Sequence, residues 1–207
     1  GQQRFGVTQN LDDFVHTKQV SFWVGVFRRI QSRVARSAPR VIVPSEYLKS
    51  IICSWHIPNR QAISSEKIQV IHNAISLEEG GTVPEDVSQL PRPLIVTAGR
   101  LVPWKHVDGV IDAVAQLHKK GIMASLVIVG DGPRREQLVS YAEKKLKGSY
   151  LFTGTLSHAD TLAVIAFADV FALNSSYEGL SHLLVESLML GVPAVATDVG
   201  GNPEVVT

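Results

Sequence analysis

The sequence predicts an α/β protein: a parallel sheet with helices on both faces. Three observations carry that prediction. Short apolar runs without polar alternation recur along the second half of the chain, as in strands buried on both sides. Segments with helical start and stop signals separate them, so that strand and helix alternate five times after Leu94. Glycine turns follow the apolar runs at Gly99, Gly130 and Gly200. In such sheets the crossovers are right-handed, and ligands sit beyond the carboxyl ends of the strands.

The elements follow in order. Residues 1–20 are polar and lack a clear period, whereas 21–37 read as a helix. Arg40 to Pro44 is a short apolar strand, and Ser45 is placed to cap a helix from Glu46 to about Ser54. Residues 58–65 read as a loop, and Lys67 to Ile71 alternates as a strand. From Asn73 to Pro93 the chain is acidic and rich in turn formers: Gly80, Gly81, Pro84, Pro91 and Pro93. This stretch divides the chain into a first segment at 1–73, a linker at 74–93 and a main domain at 94–207.

In that main domain Leu94–Ala98 is a strand, 99–105 a loop, and Val107–Lys120 a helix stopped by Gly121. Ala124–Val129 is the next strand. Pro133 suits the first position of a helix that runs to Lys147 and is closed by Gly148. Tyr150–Thr153 is a strand, Ser157 caps a helix over 158–168, and Asp169–Leu173 is a further strand. Ser181 caps the next helix, which Gly191 and Pro193 end. Pro193–Thr197 is the last strand, and 199–204 opens another helix, with Glu204 placed to cap its start.

Composition bounds the function. The 207 residues suffice for one large domain or two small ones, and 45% apolar content supports a real core. No apolar run is long enough to span a bilayer, and no signal-peptide pattern opens the chain. The start, Gly1-Gln2-Gln3-Arg4, lacks an initiator Met and reads as a processed or partial chain. Cys53 is the single cysteine, which fits a reducing, cytoplasmic setting. The seven histidines are scattered, and no Cys/His spacing suits a metal.

Charge is uneven. Residues 1–73 carry ten Lys/Arg against four Asp/Glu, and 74–207 carry ten against fifteen. Arg28, Arg29, Arg33, Arg36 and Arg40 interleave with Phe22, Trp23, Val26, Phe27, Ile30 and Val34. Two readings stay open: a basic amphipathic helix resting on an anionic membrane, at the inner face of the cell, or an ordinary helix with a solvated arginine face. No recognition motif accompanies the charge, so nucleic acid is not an expected partner.

The chemistry gathers at the strand ends. Glu178 and Glu186 lie eight residues apart around a Gly179-Leu180-Ser181 turn and a helix start. Eight residues of helix span roughly 12 Å. A helix start offers free N–H groups and a positive dipole end. The segment could therefore hold a nucleotide sugar at three points: Glu178 on the sugar, the turn on the diphosphate, Glu186 on the ribose. The plainer reading is two glutamates that complement a helix dipole and face water. Gly99-Arg100 and Lys105 place a close backbone approach and two cations on one loop, suited to a diphosphate or to simple solvation. Gly130-Asp131-Gly132-Pro133 lacks the third glycine of a dinucleotide fingerprint. It is a plain strand-to-helix turn, or one that admits a base or ribose to the backbone.

Four motifs in this order resemble the donor-binding half of group 1 (family 4) glycosyltransferases. They are Gly99-Arg100 with Lys105, Val129 to Pro133, Glu178 to Ser181 with Glu186, and Asp198 to Gly201 with Glu204. Upstream, Arg40 to Leu48 and Lys67 to Ala74 resemble that family's domain junction, so the likeness runs over about 28–207.

The resemblance implies the GT-B fold: a Rossmann-like C-terminal domain with a remnant of the N-terminal one. It implies a retaining transferase that needs no metal or other cofactor and takes a UDP- or GDP-sugar. Arg100 and Lys105 would bind the diphosphate, Glu178 would face the sugar, and the backbone from Leu180 through Ser181 and His182 to Leu183 would meet phosphate. Glu186 would bind ribose, and Gly99, Gly130, Gly132 and Gly179 would give the donor room. The acceptor would be a glycan or a lipid-linked one.

Departures qualify the likeness. His72 stands where the family has Pro, and the acceptor-side glycine loop and the histidine near the reaction centre are largely missing. His16 does not have the surroundings of that histidine. Two rivals stand beside the reading: a non-catalytic nucleotide-sugar-binding domain, and another GT-B activity such as a nucleotide-sugar epimerase or a phosphorylase.

Overall fold

A computed structural model describes residues 22–54 and 63–206. The polar stretch 1–20, His16, His56 and most of the expected 58–65 loop lie outside the described residues, as do the side chains of Phe22, Trp23 and Arg28.

The described residues form two sheets. In the smaller, β1 (Val41–Val43) pairs in parallel with β2 (Ile68–Val70), Val41 opposite Ile68. Helices α1 (Phe22–Ser37) and α2 (Glu46–Ser54) accompany it, around a small core of Ala35, Val43, Ile63 and Ile68. Ser45 begins α2 as its position promised: its hydroxyl accepts from the Leu48 N–H at 3.1 Å.

The larger sheet has five parallel strands in the order β5-β4-β3-β6-β7. They are β3 (Leu94–Ala98), β4 (Ser125–Val129), β5 (Tyr150–Gly154), β6 (Val170–Leu173) and β7 (Ala194–Ala196). The order runs outward from β3 first to one side and then to the other. A crevice opens where the direction reverses, between β3 and β6.

Helices cover both faces because alternate strand residues point opposite ways. Leu126 and Ile128 join α4 (Val107–Lys119) and α5 (Arg135–Leu146) in one core. Val127 and Val129 join Phe171 and the helices α6 (His158–Ala166) and α7 (His182–Met189) in the other. Phe171, Leu94, Ile111, Leu126 and Ile128 are fully buried. Each such side chain contributes about 1.5–3 kcal/mol relative to exposure.

Four expectations are revised. Pro133 precedes its helix by two residues, since α5 begins at Arg135. The stretch read as a linker contains a short helix, α3 (Glu85–Ser88), whose Val87 is wholly buried in the core of the five-stranded sheet. Its upstream end is also fastened: Asp160 accepts from the Thr82 N–H at 2.8 Å and from the Thr82 hydroxyl. The last expected helix is a single tight turn, Asn202–Glu204. Glu204 does not cap it; its carboxylate accepts from the Glu46 and Tyr47 N–H groups, at the start of α2.

Helix α1 exposes part of its apolar stripe: Phe27, Ile30 and Val34 are 46%, 53% and 62% exposed. Arg29 and Arg33 are exposed beside them. Among the described residues no helix is long and apolar enough to cross a membrane.

Candidate functional site

The carboxyl ends of β3, β4 and β5 border one cleft of about 570 Å³. Gly99 and Arg100 reach it from β3, Gly130 and Asp131 from β4, Thr155 and Leu156 from β5. His158 and Thr161 of α6 and His182, Leu183 and Glu186 of α7 close it. This is where a switch-point sheet places its ligand.

The glycines act by their lack of a side chain. A Cβ on Gly130 would stand 2.1 Å from the Gly99 carbonyl oxygen, and one on Gly132 would stand 2.4 Å from that of Leu101. The two strand-end loops therefore lie directly against each other. Arg100 is exposed at the cleft wall and makes no ion pair among the described residues. Its guanidinium keeps all five donors for an anion.

Lys105 and Glu178 form a pair beside the cleft. Lys105 Nζ donates to Glu178 Oε1 at 2.5 Å, and the Ser175 hydroxyl donates to the same oxygen at 2.6 Å. Glu178 is only 9% exposed. Lys105 also lines a small recess of about 10 Å³ with Gly99 and Arg100, so the two spaces share a wall. The loop carrying Glu178 is fastened on three sides. Ser176 N–H donates to the Trp104 carbonyl, the Thr197 hydroxyl to that of Ser175, and Gly201 N–H to that of Glu178. Gly200 and Gly201 permit this last contact: a Cβ on Gly200 would lie 1.8 Å from the Glu178 carbonyl oxygen.

The turn after Glu178 starts α7 as the sequence indicates. Ser181 is the cap, its hydroxyl accepting from the Leu184 N–H at 3.4 Å. The N–H groups of His182 and Leu183 open the helix without an intrahelical carbonyl to bond. His182 Nε2 also meets Asn73 Nδ2 at 2.6 Å, which joins the smaller unit to the rim of the cleft. Gly179 passes close to α2: a Cβ there would be 3.1 Å from Leu48 Cδ1.

Glu186 is 3% exposed. His158 Nε2 lies 3.0 Å from its Oε1, while Oε2 is buried without a partner among the described residues. A carboxylate oxygen only accepts, so Oε2 is an unsatisfied acceptor buried beneath the cleft wall that Glu186 helps to form.

The structure thus gathers Gly99, Arg100, Gly130, His182, Leu183 and Glu186 on one cleft, with Lys105 and Glu178 adjoining. Gly132, Gly179, Leu180 and Ser181 shape the backbone rather than line it. Sequence reasoning missed Ser175, His158 and Asn73. Ser175 has a local signal, since it stands three residues before Glu178. His158 has none, because only folding brings it to Glu186.

Fold and site together define an α/β domain with a cleft at the carboxyl ends of its strands, with the Arg100 guanidinium at its wall. The family model for glycosyl transferases group 1 matches residues 84–207, and the chain belongs to that family. A 2-deoxystreptamine glucosyltransferase of Streptomyces kanamyceticus is 31% identical over 147 residues, covering 65% of this chain and 37% of that protein. A GDP-mannose-dependent phosphatidylinositol dimannoside mannosyltransferase of Mycobacterium tuberculosis is 39% identical over 116 residues, covering 55% and 29%. Among solved structures, Anabaena HepE in complex with UDP-glucose superposes with a TM-score of 0.71 at 25% identity. That match covers 88% of this chain and 51% of HepE. The chain therefore spans about a third of the length of the curated relatives it matches.

Proposed function

We propose that this chain is the donor-binding part of a retaining glycosyltransferase. It takes a UDP- or GDP-sugar and passes the sugar to a glycan or lipid-linked acceptor. The observation that carries the reading is the convergence on one cleft of Arg100, Glu186 and the α7 start, with the Lys105–Glu178 pair beside it. The donors named for two relatives, UDP-glucose and GDP-mannose, support the choice of nucleotide.

Each group has a role in this reading. Arg100 and Lys105 hold the diphosphate, a task for which fixed cations serve without a metal ion. The His182 and Leu183 N–H groups add the positive end of the helix dipole. Glu186 accepts from a ribose hydroxyl, and Glu178 orients the sugar.

In the transfer, the bond between the sugar C1 and the diphosphate oxygen breaks, and its electron pair leaves with the diphosphate. The acceptor oxygen bonds C1 on the same face, and its proton passes to the departing diphosphate oxygen. Developing charge on that oxygen is what Arg100 and Lys105 stabilise most. The reaction draws on the cytoplasmic pool of nucleotide sugars. Helix α1, with exposed Phe27, Ile30 and Val34 beside Arg29 and Arg33, makes peripheral contact with an anionic membrane surface.

The test is calorimetry of the 207-residue chain with UDP- and GDP-sugars. Binding is expected for the wild-type chain and a large loss for the Glu178→Ala, Glu186→Ala double variant. Unchanged affinity in that variant would remove the site. A thermal-shift panel of UDP-, GDP- and ADP-sugars names the base, since the cognate donor raises apparent stability most.

A further inference from the structure

The five-stranded domain carries a second concave space, at the end of the sheet opposite the cleft of β3, β4 and β5. It measures about 640 Å³ and lies between the last turns of α4 and α5, where Met123 leads into β4 and Ser149 into β5. A five-residue strand such as β4 is roughly 17 Å long, so the length of the strands separates the two spaces.

The charge of this end is unlike that of the domain around it. Residues 74–207 hold ten Lys/Arg against fifteen Asp/Glu, yet Lys119, Lys120, Lys144, Lys145 and Lys147, half of the ten, gather here. Two carboxylates stand near them, and both are engaged. Asp112 pairs with Lys145 at 2.9 Å, and Glu143 accepts from the Tyr150 hydroxyl at 2.7 Å. Lys119, Lys144 and Lys147 line the groove, are exposed, and have no ion pair among the described residues. A plainer role for lysines in a last turn is to complement the helix dipole, about half a charge at each end. The carbonyls there are already bonded, however. Gly121 N–H donates to the His118 carbonyl, Ile122 N–H to that of Leu117, and Ser149 N–H to that of Leu146. Three unpaired cations exceed what two such ends can use.

The groove also has an apolar side. Met123 is 60% exposed and lines it together with Ala115. Cations on flexible stems beside an apolar wall suit one kind of ligand: an anion attached to an apolar group.

We propose that this groove binds an organic phosphate bearing a short apolar group, at a site separate from the donor cleft. Lys119, Lys144 and Lys147 hold the phosphate, and Met123 with Ala115 receives the apolar part. Such a phosphate is either a soluble molecule or a lipid headgroup.

The chain contains two methionines, which makes the test direct. Met123 lines the groove, and Met189 ends α7 on the other face of the sheet, so the two methyl resonances of the 207-residue chain report separately. Titration with hexyl phosphate is expected to move the Met123 methyl saturably and to leave Met189 in place. Lys119→Gln with Lys144→Gln is expected to weaken that response by about tenfold or more, the scale of one hydrogen bond to a charged group. Flotation with phosphatidic acid vesicles, in an Arg29→Glu, Arg33→Glu background that silences α1, separates the sources. Flotation abolished by the two lysine changes, without a response to hexyl phosphate, assigns the phosphate to a lipid; a response without flotation assigns it to a soluble ligand. An equal Met123 shift with hexanol, a response unchanged in the lysine variant, or neither response nor lysine-dependent flotation overturns the proposal.

Discussion

The Glu204 carboxylate accepts from the backbone N–H of Tyr47 at 3.0 Å, across 157 residues of sequence. The same carboxylate accepts from the Glu46 N–H at 3.0 Å and meets His72 Nε2 at 3.2 Å. It thereby caps α2 from the far side of the junction and ties the two-stranded unit to the end of the five-stranded one. Burial alone would raise its pKa. The Tyr47 and Glu46 N–H groups and the His72 ring outweigh that and hold it below the ordinary glutamate value.

The sign of the resulting pH dependence follows. A carboxylate with a depressed folded pKa contributes its stability in full above the unfolded value, and loses it as pH falls through the folded value. Protection of the α2 amides from hydrogen exchange should therefore weaken as pH drops below the ordinary glutamate range. Glu204→Ala should remove that component and cost α2 about 1 kcal/mol, the usual scale of a lost cap. Equal α2 protection in both chains, at every pH, would show that Glu204 is not the tie.

Gly200 and Gly121 offer a controlled comparison. Both have positive φ, +61° and +83°, but a Cβ on Gly121 meets nothing within 4 Å, whereas one on Gly200 meets the Glu178 carbonyl at 1.8 Å. Gly121→Ala should cost only the conformational strain, about 1–2 kcal/mol. Gly200→Ala should cost clearly more and also weaken donor binding, because the displaced backbone carries Glu178 with it. Thermal melts and calorimetry on the two variants check this; equal losses in both would contradict it.

Lys105 and Glu178 should be energetically coupled. With side chains 22% and 11% exposed, they are poorly screened by solvent. Removing Lys105 leaves the Ser175 hydroxyl as the one side-chain partner of this carboxylate among the described residues. A double-mutant cycle over Lys105→Met and Glu178→Gln is expected to show a coupling of roughly 1–3 kcal/mol in thermal unfolding. Additive losses would mean that the short contact contributes nothing.

Helix α1 supplies the test of membrane contact. Flotation with anionic vesicles should recover the wild-type chain and lose it when Arg29 and Arg33 become Glu, with salt weakening the wild-type association. Wild-type flotation at background level would leave the arginines as a solvated face.

What the sequence alone determined is local and periodic. The limits of β3 at Leu94–Ala98 and of α2 at Glu46–Ser54 follow from apolar runs and a serine cap, because neighbouring residues create those signals. The parallel sheet follows from the alternation of such elements, and the strand-end loops bearing Arg100, Lys105 and Glu178, with the helix start that precedes Glu186, follow from the sheet. Tertiary structure alone decided the pairings between those loops. Nothing near Glu204 in the chain announces Tyr47, nothing near Glu186 announces His158, and Gly200 looks like any turn glycine until the Glu178 carbonyl is found against it. The physical reason is range: caps and periodicity act over a few residues, whereas a buried carboxylate takes whichever donor the packed helices bring within about 3 Å.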